Sequence, residues 1–344
     1  MRSPLTPAAG LTCLFALATT GCSTNSGAAP SPASDSPTAS GSPTAGASAP
    51  AYSPAYAPYV SATTASDNDS AGAPKTYNLA FVVSSGGSCT PKWDGSHAIS
   101  DSAVKSRISR LTSDGATVRV SFGGATGKEL AATCDSASEL AAAYGKALDA
   151  AGSSQADFDI EGDELADDDS VALRSEAIAL LQQERADLRV SYTLPVMPSG
   201  LGEDSLAVLE SANHHGVQVS TVNLMTMNYG ESYTGDMGDY AVTAAGAAHP
   251  QLRKVFGTSD AAAWRGMALT SMIGVNDVDG ETFTLADAAQ VRSFAEEKGI
   301  AWVSMWSALR DQQCEKGNAT QDEAATDCSG VTQSPGAFGE AFSG

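Results

Sequence analysis

Positive charge is scarce in this sequence of 344 residues, in which 19 Lys and Arg stand against 40 Asp and Glu and the formal net charge is −21. Because proteins hold nucleic acids chiefly through Lys and Arg, no nucleic-acid partner is expected. The acidic balance suits a soluble protein with a neutral or cationic substrate, although solubility alone also explains it. We expect a monomer.

Metal ligands and phosphate-binding motifs are also lacking. The sequence has four histidines and six cysteines, with no HExxH motif and no cysteine pair at zinc spacing. No GxGxxG follows the first strand pattern, and neither Gly-Gly pair is followed by the Lys-Ser/Thr of a P-loop. We therefore expect neither a metal ion nor another cofactor.

The apolar run over residues 11–18 is too short to span a bilayer permanently. With Arg2 before it and Gly21-Cys22 after it, this run is typical of an export signal in residues 1–22. Gly21-Cys22 resembles a bacterial lipoprotein signal, in which Cys22 becomes lipidated, although Thr19 stands where Leu is usual. Simple secretion is the alternative. The protein is thus expected outside the cell, and a lipid on Cys22 would be its only membrane contact.

Residues 23–53 lack the apolar bulk that a core needs, since they are almost entirely Ser, Ala, Pro, Thr and Gly. This composition predicts a disordered linker and leaves residues 54–344 for one large domain. In an exported protein, the four cysteines of that domain are expected to form two disulfides, and several pairings are possible. These cysteines are Cys89, Cys134, Cys314 and Cys328.

Short strand patterns alternate with amphipathic helix patterns over residues 54–344. Strands are expected at 57–61, 77–83, 117–122, 156–161, 188–194, 220–227, 267–273 and 301–306. Helices are expected at 99–112, 136–151, 170–186, 204–214, 240–254 and 285–298. The alternation predicts an α/β fold, a single (β/α)8 TIM barrel whose first unit is degenerate because its helix pattern is poor. A doubly wound open sheet is the alternative.

Asp157, Asp159 and Glu161 occupy every second position of the fourth strand pattern. They share one face of the strand at about 7 Å spacing, while Phe158 and Ile160 take the other face. Like charges beside apolar neighbours raise a carboxyl pKa, so at least one of these groups should hold a proton near neutral pH. A protonated carboxyl beside ionised ones is typical of a glycosidase. A calcium site or a solvated acidic edge is the alternative, but the flanking residues are too apolar for such an edge.

Several distinctive groups should meet Glu161 at one rim, because barrel enzymes carry their chemistry at the carboxyl ends of the strands. They are Gly123-Gly124, Asn228-Tyr229 and Trp306, at the ends of the third, sixth and eighth strand patterns. The two glycines, with Ser121, are interpreted as scaffold that permits close packing at the rim.

The DFDIE run at 157–161 resembles the Asp-x-x-Asp-x-Asp-x-Glu signature of glycoside hydrolase family 18, the retaining chitinases and their relatives. The likeness extends over nearly all of residues 54–344. Other matching segments are SFGG at 121–124, YTLPVMPSGL at 192–201, MTMNY at 225–229, MIGVND at 272–277 and MWSALRD at 305–311.

The resemblance implies an exported chitinase that cuts β-1,4 links between N-acetylglucosamine units. In this family the acetamide oxygen of the substrate attacks C1 and forms an oxazolinium ion, so no enzyme carboxylate attacks. Glu161 would be the acid and base, and Asp159 would orient the acetamide. Asp157 would share a proton with Asp159, so that the two titrate together. Trp306 would stack under the sugar at the cleavage point, unless it is a core residue.

This chain departs from the family pattern at two places. Ser154 replaces the first Asp of the signature, at the base of the strand. Met227-Asn228 replaces a Tyr-Asp pair whose hydroxyl contacts the acetamide oxygen. Tyr229, two residues along and on the same face as Met227, is expected to supply that hydroxyl. Asn228 lacks the charge, so Asn228→Asp is expected to raise turnover, to shift the pH optimum or to do both, unless Asn228 with Tyr229 is already a working arrangement.

Further substrate contacts are expected from residues near these motifs. Met225 and Met227 belong to the sixth-strand motif. Asn276 and Asp277 are candidate sugar contacts or a plain turn. Trp93, in the loop after the second strand, is a second sugar platform or a loop anchor.

Two disulfides, Cys89–Cys134 and Cys314–Cys328, are the expected pairing. The first would join the neighbouring loops after the second and third strands. The second would close a polar loop after the eighth strand.

Two other functions remain open. An endo-β-N-acetylglucosaminidase acting on glycoproteins would use the same acid and the same acetamide chemistry. A weakly active or inactive chitin-binding surface protein is the alternative outside catalysis, although the presence of Glu161 counts against it.

Overall fold

Parallel strands alternate with helices along the part of the chain that this computed structural model describes, residues 52–315 and 326–344. The strands are β1 Ala55–Tyr56, β2 Tyr59–Ser61, β3 Thr76–Ser85, β4 Ser88–Trp93, β5 His97–Ala98, β6 Thr117–Gly123, β7 Gln155–Asp159, β8 Arg189–Met197, β9 Gly200–Leu201, β10 Val219–Met225, β11 Met267–Met272, β12 Gly274–Val275, β13 Thr282–Phe283 and β14 Trp302–Trp306. The helices are α1 Ser102–Leu111, α2 Ala137–Ala151, α3 Asp168–Glu184, α4 Glu203–His214, α5 Met237–Phe256, α6 Asp260–Arg265, α7 Leu285–Lys298 and α8 Ala337–Ser343. The predictions for the export signal, Cys22 and most of the linker lie outside the described residues.

The central sheet is parallel and has the strand order β14-β11-β10-β8-β7-β6-β3. Each neighbouring pair in this order is a parallel pair. The α/β class predicted from the alternation is therefore confirmed. None of the helices in the described ranges is long and apolar enough to cross a membrane.

Where the sequence predicts one first strand at 57–61, the structure has two short strands, β1 and β2, that pair at opposite edges of this sheet. β1 pairs in parallel with β14, and β2 pairs in parallel with β3. Pro58 lies between them and has no N–H to donate, so the ladder is interrupted there and the regular pairing does not close into one ring. The carbonyl of Pro58 still accepts from the amide of Asn78 at 2.9 Å. Residues 62–75 contain no helix, as expected for a degenerate first unit.

A hairpin absent from the sequence-based prediction follows the second parallel strand. β3 runs to Ser85, turns through Gly86 and Gly87 with φ of +57° and +82°, and returns as antiparallel β4. Glycine permits this turn because it adopts positive φ without a steric penalty. β4 carries Cys89, which is bonded to Cys134, and a second disulfide joins Cys314 to Cys328. Both expected pairings are present in the structure.

The outer face of β7 packs against the helix layer, as its alternation predicts. Phe158 is fully buried, with ring centroids 5.3 Å from Phe122 and 5.0 Å from Tyr144 of α2. Ser136 caps the start of α2 by accepting from the amide of Glu139. Apolar packing on this face leaves the carboxylates of β7 directed to the opposite face.

Candidate active site

Asp157 on β7 is buried and accepts hydrogen bonds from four hydroxyl groups. Oδ2 accepts from Tyr59 at 2.9 Å and from Ser121 at 2.7 Å. Oδ1 accepts from Ser191 at 2.7 Å and from Thr193 at 2.9 Å. These donors come from β2, β6 and β8. Hydroxyl hydrogen bonds therefore compensate the burial of a carboxylate that is only 1% exposed.

Asp159 forms its side-chain hydrogen bond with Glu161, not with Asp157. The expectation that Asp157 and Asp159 share a proton is therefore wrong for this arrangement. The physical reason is that the hydroxyls from neighbouring strands already occupy both oxygens of Asp157. Glu161 follows β7 with extended backbone, φ −136° and ψ 163°, so it remains on the same face as Asp159.

Both carboxyls of this pair have raised pKa values. Burial raises the pKa of Asp159 well above its usual range, and the charges of Glu161 and Asp157 add to the effect. Burial also raises the pKa of Glu161, while the hydrogen bond with Asp159 opposes the rise and the charges of Asp277 and Glu164 increase it. Burial and the neighbouring charges therefore favour a proton on this pair of carboxyls.

Gly123 and Gly124 bring β6 close to these carboxylates. A Cβ on Gly123, at φ +99°, would lie 2.1 Å from the carbonyl oxygen of Asp159. A Cβ on Gly124, at φ +89°, would lie 2.8 Å from the ring of Phe81. The amide of Gly124 donates to that Asp159 carbonyl at 2.9 Å. The two glycines thus permit close packing at the rim, as expected. Gly123 approaches the neighbouring strand β7, and Gly124 approaches the ring of Phe81.

Trp306 is partly exposed at the end of β14 and belongs to an aromatic group. Its ring stacks on Phe81, with centroids 5.5 Å apart and planes 24° apart, and lies edge-on to Tyr59 at 5.9 Å. Phe81 was missed in the sequence because it reads as an ordinary alternating position of β3. The core alternative for Trp306 is wrong, since its ring lines a cavity.

A cavity of about 460 Å³ lies at the carboxyl ends of the strands. Asp159, Glu161 and Trp306 line it together, which confirms that the strand ends bring these groups to one rim. Its other predicted lining residues are Met225, Met227, Asn228 and Asp277. Lining residues that the sequence did not single out include Tyr59, Phe81, Asp94, Thr193, Thr270 and Ser307. The cavity thus has an aromatic wall and an acidic wall.

Asn228 and Asp277 form a reciprocal pair at the mouth of the cavity. The amide nitrogen of Asn228 donates to Oδ2 of Asp277 at 3.4 Å, and its oxygen accepts from the backbone amide of Asp277 at 3.1 Å. Asn228 has φ +53°, so the chain leaves the extended conformation there. Strand alternation therefore does not carry through to Tyr229.

Tyr229 is 4% exposed and lies outside the cavity lining. Its ring packs 5.8 Å from Tyr233 and 5.9 Å from Tyr240. The expectation that Tyr229 supplies a hydroxyl to the site is therefore wrong for this structure. The cause is the left-handed residue before it, Asn228, which redirects the chain.

Two further expected contacts are structural. Asn276 is buried and donates to the carbonyls of Met272 and Gly274 at 2.9 and 3.0 Å, so it stabilises a turn, as the alternative interpretation held. Trp93 is fully buried on β4, which makes it a core residue and excludes it as a sugar platform. The loop prediction for Trp93 failed because the β3–β4 hairpin was missed.

Two buried carboxylates outside the cavity, Glu281 and Glu129, stabilise the chain segments on either side of it. Glu281 is 1% exposed and accepts from the amide of Gly230 at 2.8 Å, which fixes the loop after Asn228. Glu129 forms a buried ion pair with Arg174 at 3.0 Å, and its backbone amide donates to Glu164 at 2.8 Å, three residues after Glu161. These residues carry no local sequence signal, because only the tertiary fold brings them together.

No family model matches the chain. The chain is 36% identical over 275 residues to a probable bifunctional chitinase/lysozyme of Escherichia coli, covering 74% of this chain and 31% of that protein. It is 35% identical over 274 residues to endochitinase 11 of Metarhizium anisopliae, covering 74% of this chain and 52% of that protein. The alignments thus span about half or less of the length of these two relatives.

Solved structures agree with these relatives. The catalytic domain of a hyperthermophilic chitinase from Pyrococcus furiosus has a TM-score of 0.74 and 29% identity, covering 86% of this chain and 96% of that one. A family 18 chitinase from Pseudoalteromonas aurantia shares the fold, with a TM-score of 0.55 and 15% identity over 74% of this chain and 93% of that one. Together with the DFDIE strand and its cavity, these likenesses show that the folded part of the chain belongs to glycoside hydrolase family 18, as a chitinase-like domain.

Proposed function

We propose that this domain is a chitinase that hydrolyses β-1,4 links between N-acetylglucosamine units of chitin or chito-oligosaccharides. The observation that carries the proposal is the hydrogen-bonded pair of Asp159 and Glu161 in a cavity that Trp306 also lines. An aromatic face suits the C–H face of a pyranose, and a buried carboxyl with a raised pKa suits proton donation to a leaving oxygen. The likeness to proteins named chitinases supports the same substrate class. We also infer that the strands form the barrel of these enzymes, closed through residues 55–61.

The first step would be breakage of the glycosidic bond with help from the substrate. The acetamide oxygen attacks C1, the bond from C1 to the leaving oxygen breaks, and the proton of Glu161 passes to that oxygen. Asp159 would accept the acetamide N–H and orient it for this attack. Asp157 would place a fixed, hydroxyl-bound carboxylate below Asp159, which opposes ionisation of Asp159 and favours the positive oxazolinium ion.

The second step would return the enzyme to its starting state. Water attacks C1 from the side of the departed sugar, and the Glu161 carboxylate takes a proton from that water. The ring of the oxazolinium ion opens and the configuration at C1 is retained. Because Glu161 gives a proton in one step and takes one in the next, its pKa must lie near the working pH, and burial moves it in that direction.

A comparison of acetylated and deacetylated substrates tests this proposal. We expect turnover of chitotriose and none of the fully deacetylated trimer, because the deacetylated sugar has no carbonyl oxygen to attack C1. Cleavage of both substrates at similar rates would exclude the substrate-assisted mechanism. Release of an N-glycan from a denatured glycoprotein, without chitotriose turnover, would identify an endo-β-N-acetylglucosaminidase. Binding of chitin without turnover of any substrate would identify a binding protein.

We predict that Asn228→Asp lowers turnover by about threefold to tenfold, or about 1 kcal/mol at the transition state. This reverses the expectation from the family pattern. The reason is the contact with Asp277, in which an aspartate could not donate and would place two carboxylates together. Kinetics on chitotriose from pH 4 to 8 would measure the effect.

Asn228→Gly is the control for this variant, because glycine accepts the φ of +53° and removes the hydrogen bonds without adding charge. It should lose less activity than Asn228→Asp. An Asn228→Asp variant that is faster than the parent would contradict the prediction.

We propose that the protein acts outside the cell, secreted or held at the surface by a lipid on Cys22. The two disulfides support an oxidising compartment. Mass spectrometry of the mature N-terminus, from cells of the source organism, would distinguish the two forms.

A further inference from the structure

The family pattern has an aspartate at position 228, and here the residue is Asn228. A carboxylate nevertheless reaches the same part of the cavity from the neighbouring strand. Asp277, in the loop between β12 and β13, pairs with Asn228 through the two hydrogen bonds described above and lines the same cavity as Glu161. In this chain the negative charge therefore lies on Asp277 and not at position 228.

Resting on the proposed function, we propose that Asp277, held by Asn228, is a positioning residue whose negative charge sets the pH range over which Glu161 acts as the acid. Both residues are exposed, whereas Glu161 is partly buried in the lining of the same cavity. The charge of Asp277 therefore acts on Glu161 across the cleft, and Asn228 determines where that charge sits.

The loop of Asp277 is anchored firmly enough to hold such a charge in place. Arg310 donates to the carbonyls of Ile273 and Val275 at 3.0 and 2.6 Å, just before Asp277. On the other side, the carbonyl of Glu281 accepts from the amide of Asn276 at 3.0 Å, and its side chain binds Gly230. The loops on both sides of the Asn228–Asp277 pair are thus fixed by buried charged residues.

The charged groups around Glu161 come from several elements. Asp159 on β7 is its hydrogen-bond partner, and Glu164 follows it in the next turn. Asp277 acts from the loop between β12 and β13, with the guanidinium of Arg310 near it, and Asp94 lines the same cavity from the β4 side. Among the charges that raise the pKa of Glu161, Asp277 has the largest effect and Glu164 follows.

The test is the pH profile of kcat/KM for Asp277→Asn on chitotriose, with Asp279→Asn as the matched control. Asp279 is an exposed carboxylate of the same loop and does not line the cavity. Removing the charge of Asp277 should lower the pKa of Glu161, so the acid form is lost sooner as the pH rises. We expect the alkaline limb of the Asp277→Asn profile to shift to lower pH by about 0.5 of a pH unit, which is the effect of one charge acting through a partly solvated cleft. The alkaline limb of the Asp279→Asn profile should lie at the same pH as that of the parent.

Salt gives a second readout that a merely structural role would not move. Raising the ionic strength to about 1 M shortens the screening length to about 3 Å, so the alkaline limb of the parent should shift to lower pH by more than that of Asp277→Asn, which retains only the other charges such as Glu164. Identical limbs for Asp277→Asn and Asp279→Asn would overturn the inference. If the parent does not cut chitotriose, the proposed function fails instead. Titration of a carboxyl-labelled Glu161 by NMR then still tests the inference, because it requires a lower Glu161 pKa in Asp277→Asn than in the parent.

Discussion

Glu161→Gln is expected to lower turnover of chitotriose by about 10²–10⁴-fold, the usual contribution of a general acid. Glutamine is nearly isosteric and can still bond with Asp159, but it cannot give up a proton as a carboxylic acid does. The side chain lies in the cavity beyond the end of β7 and supports no core packing, so folding should be unchanged. Steady-state kinetics and a thermal unfolding curve would measure both effects. Turnover within tenfold of the parent would show that Glu161 is not the acid.

Asp159→Asn is the matched variant, because it should also be slow but should differ in stability. Burial raises the pKa of Asp159, so the folded state keeps this proton to a higher pH than the unfolded chain does. The stabilising contribution is complete below the unfolded pKa and is lost as the pH rises through the folded pKa. Asparagine cannot ionise, so the free energy of unfolding of Asp159→Asn should fall less steeply with rising pH than that of the parent.

The catalytic strand was predictable because its information is local. Alternation alone places Asp157, Asp159 and Glu161 on one face and Phe158 on the other, and the structure keeps this arrangement. Trp306 was predictable for a related reason. It is the last residue of a strand pattern, and the carboxyl ends of parallel strands meet at one edge.

The errors arise where a single residue changes the backbone or where partners come from distant strands. Asn228 adopts positive φ, so the period of two that placed Tyr229 beside Met227 ends there. The sequence predicts a loop at Trp93 because the β3–β4 hairpin gives no strong signal in the residue pattern. The partners of Asp157 are hydroxyls from β2, β6 and β8, and no spacing within one strand reports them.

The buried ion pair behind the catalytic strand is the largest feature that sequence reasoning missed. Glu129 and Arg174 have side chains that are 0% and 1% exposed, with Nε and Nη2 of the arginine 3.0 Å from Oε2 of the glutamate. Tyr144 donates to Oε1 at 2.6 Å, and the amide of Ala131 donates to Oε2 at 2.9 Å. The glutamate is therefore fully hydrogen-bonded, and the arginine depends on it for compensation of its charge.

We expect Glu129→Gln to lower the free energy of unfolding by about 3–5 kcal/mol, because it leaves the charge of Arg174 buried without its partner. Arg174→Met should cost a similar amount, since it leaves the charge of Glu129. The double variant should lose clearly less than the sum, because it buries no unpaired charge. Urea unfolding, with the slope checked for constancy, would measure all three variants.

The exposed pair of Asp149 and Arg185 provides the control for this prediction. Its side chains are 66% and 29% exposed at a distance of 2.8 Å, so water already solvates both charges. Asp149→Asn should therefore cost less than about 1 kcal/mol. A Glu129→Gln variant that loses no more stability than Asp149→Asn would contradict the argument.

The buried pair of Glu129 and Arg174 should also affect turnover, because the backbone amide of Glu129 donates to Glu164 in the turn that follows Glu161. A displaced Glu129 should thus lower kcat even at temperatures where the variant remains folded, whereas Asp149→Asn should leave kcat unchanged.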